Sequence, residues 1–376
     1  MAWHHHDHGR RARTLLLEIR SGLAFLKLKA AMRRVHLASM TKFDPVQPRD
    51  DHGRWTTGGG GGITVSEGGI LVGDPSGDTF VTDETGEESW ASVASSLDDE
   101  GALAEQVISN RDGSEIRSEF NPPDNAALDE RHTVKTPDGT RTVFERSGDT
   151  QTIRDGATGE ALSAATWTPD GALPEAITQP ATLQQPARAM KTLDAASQLF
   201  TWQSTQNSAD SAAVLSVNGT EFRPGASAKE QAVWVGELTK DKLALACPRY
   251  PEVEDRLDTA VAAVNNAGGA GMSATQYGTA VHQNLQQQIK NLGDENFRAE
   301  VSYIKSIEGK YGAPGSVRID VLEKVNDGLV CVYDIKTGQA ELSPARRQEI
   351  ANNVQHLFGT NSRATVIVEV KPRISR

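Results

Sequence analysis

A chain of 376 residues is too long for one ordinary hydrophobic core, so several units are expected. Hydrophobic residues make up 37% and aromatic residues 5%, with 34 glycines and a mean hydropathy of -0.46, which makes part of the length linker rather than core. The formal net charge of -11 excludes a whole-molecule electrostatic grip on nucleic acid, although the acids crowd between Glu67 and Asp170 and the segment after Pro251 is nearly balanced.

The first 42 residues read as a basic amphipathic helix. Leu16, Ile19, Leu23, Leu26 and Ala30 form an apolar seam, and Arg13, Arg20, Lys27 and Arg34 follow one another seven residues apart beside it. Such a helix suits a partner helix, its own protein or an anionic membrane surface. Glu18, Arg20 and Lys27 interrupt the apolar run, so neither a standard signal peptide nor a membrane span is expected. A Pro/Gly linker follows over 43–62, ending in the uninterrupted run Gly58 to Gly62, which propagates neither helix nor strand.

Residues 63–181 read as an acidic, turn-rich, partly disordered β region, with a meander of small strands at 133–135, 140–145 and 150–154. Residues 182–211, rich in Ala and Gln around Pro186, read as a second linker. An accessory unit over 212–271 is expected to pack on the domain that follows. It holds two strands, a short helix capped by Thr239 that ends before Cys247-Pro248, and a helix over 253–265. Cys247 and Cys331 are the only cysteines, and their separation offers neither a disulfide framework nor metal-ligand spacing, so reduced thiols are expected.

The last domain, 272–376, reads as an αβββαβ unit of α+β type with a mixed sheet. Its first helix spans 273–292, with Tyr277, Val281, Leu285 and Ile289 at period four. Strands follow at 299–307, 316–325 and 329–336, then a helix at 344–358 opened by Ser343-Pro344, then a strand at 364–370. The turn Asn326-Asp327-Gly328 fixes the hairpin register and sets Asp320 opposite Asp334. Arg318, Asp320, Asp334 and Lys336 then share one face, and Ile319, Val321, Tyr333 and Ile335 the other. Two facing carboxylates repel unless a cation or proton relieves them, and a hard divalent ion such as Mg²⁺ or Mn²⁺ would do so. That ion, with Lys336 placed to orient water or neutralise a developing phosphorane, supplies what phosphodiester hydrolysis needs.

These residues resemble the PD-(D/E)XK nuclease superfamily, in particular its RecB-like branch, over about 277–348. Gly278-Thr279-Ala280-Val281-His282 is similar to that branch's GxxxH helix, Arg318-Ile319-Asp320 to its central aspartate motif, and Asp334-Ile335-Lys336-Thr337-Gly338 to its DxKTG motif. The resemblance implies a restriction-endonuclease-like core, catalysis by Asp320, Asp334 and Lys336, and metal held by Asp320, Asp334 and His282. The usual proline before the first aspartate is replaced by Arg318-Ile319, and no YxxxQ-like tail follows. Glu300 and Gln348 are further candidates for the metal shell, and Arg318, Arg346 and Arg347 for contact with the nucleic-acid backbone. His282 also sits at a spacing that suits a core-edge histidine.

The stretch from Gln47-Pro48-Arg49-Asp50 through Gly53-Arg54-Trp55 to the polyglycine resembles a linker of bacterial prophage proteins. Together the two resemblances imply a metal-dependent nuclease acting on DNA, with RNA as the other substrate, in a prophage-borne or polymorphic-toxin-like effector. Such an effector would sit in the bacterial cytoplasm or on a phage or delivery particle, docked through its N-terminal helix and countered by an immunity protein. Two other roles stay open on this reading: a non-catalytic phage structural or assembly protein built on the same fold, and a cytoplasmic DNA-processing exonuclease.

Overall fold

The computed structural model describes residues 62–66, 69–73, 78–83, 90–99, 101–177, 186–218, 232–304, 307–308, 317–337 and 364–374. The expected N-terminal helix, the linker as far as residue 61, and the 344–358 helix with Arg346, Arg347 and Gln348 lie outside the described residues. The chain divides into two compact units between Arg131 and His132. Strands dominate over a few helices, and no described helix is long and apolar enough to cross a membrane.

The first unit is an antiparallel meander of β1 (Gly62–Ser66), β2 (Gly69–Gly73), β3 (Thr79–Thr82), β4 (Trp90–Leu97), β5 (Leu103–Asn110) and β6 (Glu115–Phe120). Its turn chemistry is plain at the β5–β6 hairpin. Asp112 Oδ1 accepts from Ser114 N at 2.8 Å, and Gly113 takes a φ of 87° that a side chain would strain.

In the second unit the strands expected at 133–135, 140–145 and 150–154 are found as β7 (Glu130–Lys135), β8 (Arg141–Ser147) and β9 (Thr150–Asp155), and the meander continues, beyond what was expected, through β10 (Ala161–Thr168) and β11 (Gly171–Pro174). The unit also contains a seven-stranded mixed sheet. Its strands are β12 (Ser211–Asn218), β13 (Ala232–Thr239), β14 (Phe297–Ile304), β15 (Ile307–Glu308), β16 (Val317–Lys324), β17 (Leu329–Ile335) and β18 (Ala364–Val370), in the order β13-β12-β18-β17-β16-β14-β15. Among the described pairings of this sheet only that of β17 with β18 is parallel. The helices are α1 (Pro186–Thr205), α2 (Lys240–Ala246), α3 (Tyr250–Asn266) and α4 (Ala274–Lys290). Thr239 caps α2 as expected, its side chain accepting from Lys242 N.

The main core joins Leu243, Val253, Leu257 and Val261 of α2 and α3, and Tyr277, Val281, Leu285 and Ile289 of α4, to Val321, Tyr333, Val366 and Val368 of the sheet. Alternate residues such as Ala213, Leu215 and Val217 are buried too, and α1 packs on β12 and β13 with Leu193, Leu199 and Phe200 buried. α1 thus occupies most of the stretch expected as the 182–211 linker. Likewise the 212–271 segment is more than accessory, since β12 and β13 are strands of the central sheet itself.

The meander does not stop short of this core either. Ala165, Trp167 and Ala172 belong to it, and the Trp167 and Trp234 rings lie 5.1 Å apart. The buried Gln151 side chain donates to Val235 O at 2.6 Å and accepts from Val235 N at 3.0 Å, pairing with β13 as another strand would. At Gly171, with φ of 86°, a Cβ would meet Ala364 Cβ at 3.1 Å and Leu329 Cδ1 at 3.2 Å. Residues 132–174 are therefore part of the sheet's own unit, where a separate thin β region was expected.

The cysteines differ from expectation as well. Cys247 and Cys331, 84 residues apart, form a disulfide, and neither is exposed. The fold brings together what spacing alone gave no reason to pair.

Candidate metal centre

Helix α4 begins with a full capping box: Ser273 Oγ accepts from Gln276 N, and Gln276 Oε1 accepts from Ser273 N at 2.9 Å. Its buried stripe points Tyr277, Val281, Leu285 and Ile289 at the sheet, which leaves His282 on the flank with 18% of its side chain exposed. A Cβ on Gly278 would lie 2.9 Å from Thr337 Oγ1, so glycine is what lets α4 approach the loop after β17. The GxxxH helix and the DxKT segment meet at that point.

The β16–β17 register is the one expected, running from Lys324↔Val330 to Val321↔Tyr333. One step further it would pair Asp320 with Asp334, but there the ladder opens. Asp320 Oδ2 instead accepts from Ile335 N at 2.9 Å, and its Oδ1 turns to His282 Nδ1 at 3.6 Å and Arg318 Nε at 3.7 Å. Asp334 turns to Lys336, whose Nζ lies 2.7 Å from its Oδ2.

On the other side of β16, β14 pairs Ala299 with Val321 and Val301 with Ile319, which sets Glu300 opposite Asp320. Glu300 has a φ of 54°, a left-handed conformation that costs a residue with a Cβ roughly 1–2 kcal/mol. Its carboxylate, only 6% exposed, reaches His282 Nδ1 at 3.1 Å and Arg318 Nε at 3.0 Å. Beyond Asp334, β18 contributes Glu369, which is in register with it and 1% exposed. Four adjacent strands thus each place one carboxylate at the same level of the sheet.

Burial raises the Asp334 pKa from its ordinary 3.8 to about 7, helped by the charges of Asp320 and Glu369 and opposed by Lys336. Burial also raises Asp320, with Glu300 adding and His282, the Ile335 N–H and Arg318 opposing. For His282, burial works against the charged ring, but the Glu300 hydrogen bond and the Asp320 charge outweigh it and raise its pKa. The row is short of positive charge.

One ligand atom each from His282, Glu300 and Asp320 lies within 4.8 Å of the other two. Adjacent ligands of an octahedral ion with bonds of about 2.1 Å stand about 3 Å apart. The 3.1 Å and 3.6 Å separations from His282 Nδ1 are close to that, so the three groups fit a divalent ion with little movement. Of the expected metal set, His282 and Asp320 come together. Glu300, anticipated only as an addition, completes the group, and Asp334 stands beside it in an ion pair. Arg318 borders the site with 43% of its side chain exposed. Sequence reading missed Glu369, whose one available signal is that it is the sole charge in the strand Ala-Thr-Val-Ile-Val-Glu-Val. Comparison with protein-family models, with curated proteins and with solved structures found no match for this chain.

Proposed function

We propose that the second unit hydrolyses nucleic-acid phosphodiester bonds with a divalent metal, DNA being the favoured substrate, on a core of the PD-(D/E)XK type. The observation that carries this reading is the convergence of His282, Glu300 and Asp320 within ligand distance of one another, with the Asp334–Lys336 ion pair on the neighbouring strand. The GxxxH, aspartate and DxKTG segments thereby serve one site.

His282 Nδ1, Glu300 and Asp320 would hold the ion, which when bound supplies Lewis-acid stabilisation of the phosphate and a water of lowered pKa. The chain's residues do the rest. Ile335 N–H fixes Asp320 so that Oδ1 stays aimed at the ion's seat. Lys336, held by Asp334, presents an ammonium to the charge that builds on the phosphoryl oxygens. Arg318 reaches outward as a contact for a backbone phosphate. With a net charge of -11, such a grip has to be local, and nucleic acid would be held by few residues, weakly and with a shallow dependence on salt.

The wider role follows the linker resemblance: an effector of prophage or toxin type, docked on a particle through its N-terminal helix and held in check by an immunity protein. The chemistry is tested by incubating plasmid with the full chain in Mn²⁺, in Mg²⁺ and in EDTA, alongside Lys336→Ala. Cleavage that needs metal, is lost in Lys336→Ala and leaves that variant's ion affinity intact is the expected result. Cleavage undiminished in Lys336→Ala, or none by the wild type in either metal, would sink the proposal.

A further inference from the structure

The proposed ion site is built from two layers. Glu300 and Asp320 come from the sheet, with Asp334 beside them, whereas His282 comes from α4. α4 is held in turn by α3, through Tyr277 Oη donating to Asn265 Oδ1 at 2.9 Å and Gln288 Nε2 donating to Arg256 O at 3.2 Å. Among the described residues one covalent tie crosses between these layers, the Cys247–Cys331 disulfide. Cys247 is the residue that ends α2 and leads into α3. Cys331 lies in β17, on the strand that carries Asp334 toward Lys336. The same seam is tied non-covalently by Glu323, the cross-strand partner of Cys331, which accepts from Arg249 N and from the Tyr333 hydroxyl.

We infer that this disulfide is a redox control on the metal centre. Oxidised, it holds the helix layer in register with β17, so that His282 meets Glu300 and Asp320 at ligand distance. A small dithiol opens it: the dithiol is oxidised to its own disulfide, and the protein bond takes up two electrons and two protons to become two thiols. The Cys sulfurs must then separate to ordinary van der Waals contact inside a close-packed core, which pushes the α2–α3 junction and β17 apart. The displacement reaches the site through α3 and α4, and His282 leaves its seat. Both cysteines are fully buried, so the dithiol gains access only when the α2–α3 junction lifts, and the native protein is reduced slowly.

This control rests on the metal-centre reading, and the experiment separates the two. The full chain is prepared oxidised, its thiols are counted after unfolding, and Mn²⁺ is titrated into the oxidised protein and into protein reduced with dithiothreitol and freed of it anaerobically. The expected results are no free thiol in the oxidised chain, Mn²⁺ bound about tenfold more weakly by the reduced chain, and no response to dithiothreitol in Cys247→Ala/Cys331→Ala, which has no sulfurs to separate. In His282→Ala the oxidised and reduced forms should bind Mn²⁺ alike, because the effect travels through that side chain. A tie that merely stabilised the fold would weaken binding equally with and without His282. Should the double variant fail to fold, the reduced wild type still decides. Equal Mn²⁺ binding by oxidised and reduced wild type, or two free thiols in the air-oxidised chain, overturns the control and leaves the metal centre standing. No binding by either form overturns both.

Discussion

Glu300 offers the sharpest test of how the site is built, because its backbone and its side chain make separable demands. A left-handed φ of 54° disfavours every residue with a Cβ by roughly 1–2 kcal/mol, whereas glycine is free of that term. At an ordinary strand position the order is reversed, and glycine is roughly 0.5–1 kcal/mol worse than alanine for its extra freedom in the unfolded chain. The comparison is therefore between Glu300→Gly and Glu300→Ala, both of which remove the carboxylate and its contacts with His282 and Arg318. If the strain is present, the glycine variant is the more stable of the two by about 1 kcal/mol, the balance of those terms. For a unit of this size that corresponds to a melting difference of about 2–4 °C, measurable in EDTA by calorimetry. Both variants should lose Mn²⁺ affinity alike, since both lack the ligand. An alanine variant more stable than the glycine variant would show that Glu300 lies in an ordinary extended strand, and the argument that its backbone turns the carboxylate toward His282 would fall.

Three further outcomes follow from the same geometry. Asp334 has a folded pKa of about 7 against an ordinary 3.8, so its contribution favours the folded state fully below the lower value and is lost as pH rises through the upper one. Metal-free protein should thus lose stability between about pH 4 and pH 7 from this group, and Asp334→Asn should flatten that slope in urea titrations; an unchanged slope would refute the assignment. Deleting residues 1–211 should abolish folding, because it strips Ala165, Trp167 and Ala172 from the core and removes α1 from β12 and β13; a cooperative melt of the shortened chain would contradict the shared core. Gly278→Ala would help an ordinary helix by about 1 kcal/mol. Here its Cβ would stand 2.9 Å from Thr337 Oγ1, so it should instead weaken Mn²⁺ binding, and titration of the variant checks this.

What the sequence disclosed, it disclosed through local rules. The Thr239 cap, the period-four stripe of α4 and the three-residue turn around Asp327 are each dictated by a handful of neighbours, and each is found. Long-range relations were not legible. Helix α1 passes for a linker because Leu193, Leu199, Phe200 and Trp202, its large buried residues, stand among Ala, Ser, Thr and Gln. β10 and β11 go unread as strands because the residues they bury are small apart from Trp167, and small residues carry little pattern. The disulfide closes across 84 residues, a distance at which only the fold can say that two cysteines meet.

The site shows the same division. A correct register predicted that Asp320 and Asp334 would confront one another, and from that confrontation an ion between them was expected. The chain relieves the repulsion by another route: Asp320 gives one oxygen to the Ile335 N–H and swings the other toward His282, while Asp334 takes Lys336. The carboxylate pair that faces α4 is then Glu300 and Asp320, one strand over, bordered by Arg318, and a histidine already stands across it. Nothing in Phe-Arg-Ala-Glu-Val marks Glu300 as a residue whose backbone leaves the strand conformation, since glutamate has no special tolerance for positive φ. Strain at a buried carboxylate persists where its surroundings hold it, and here those surroundings are His282 and Arg318. The proposed seat of the ion is therefore set less by which acids the strands carry than by which of them the backbone turns toward α4.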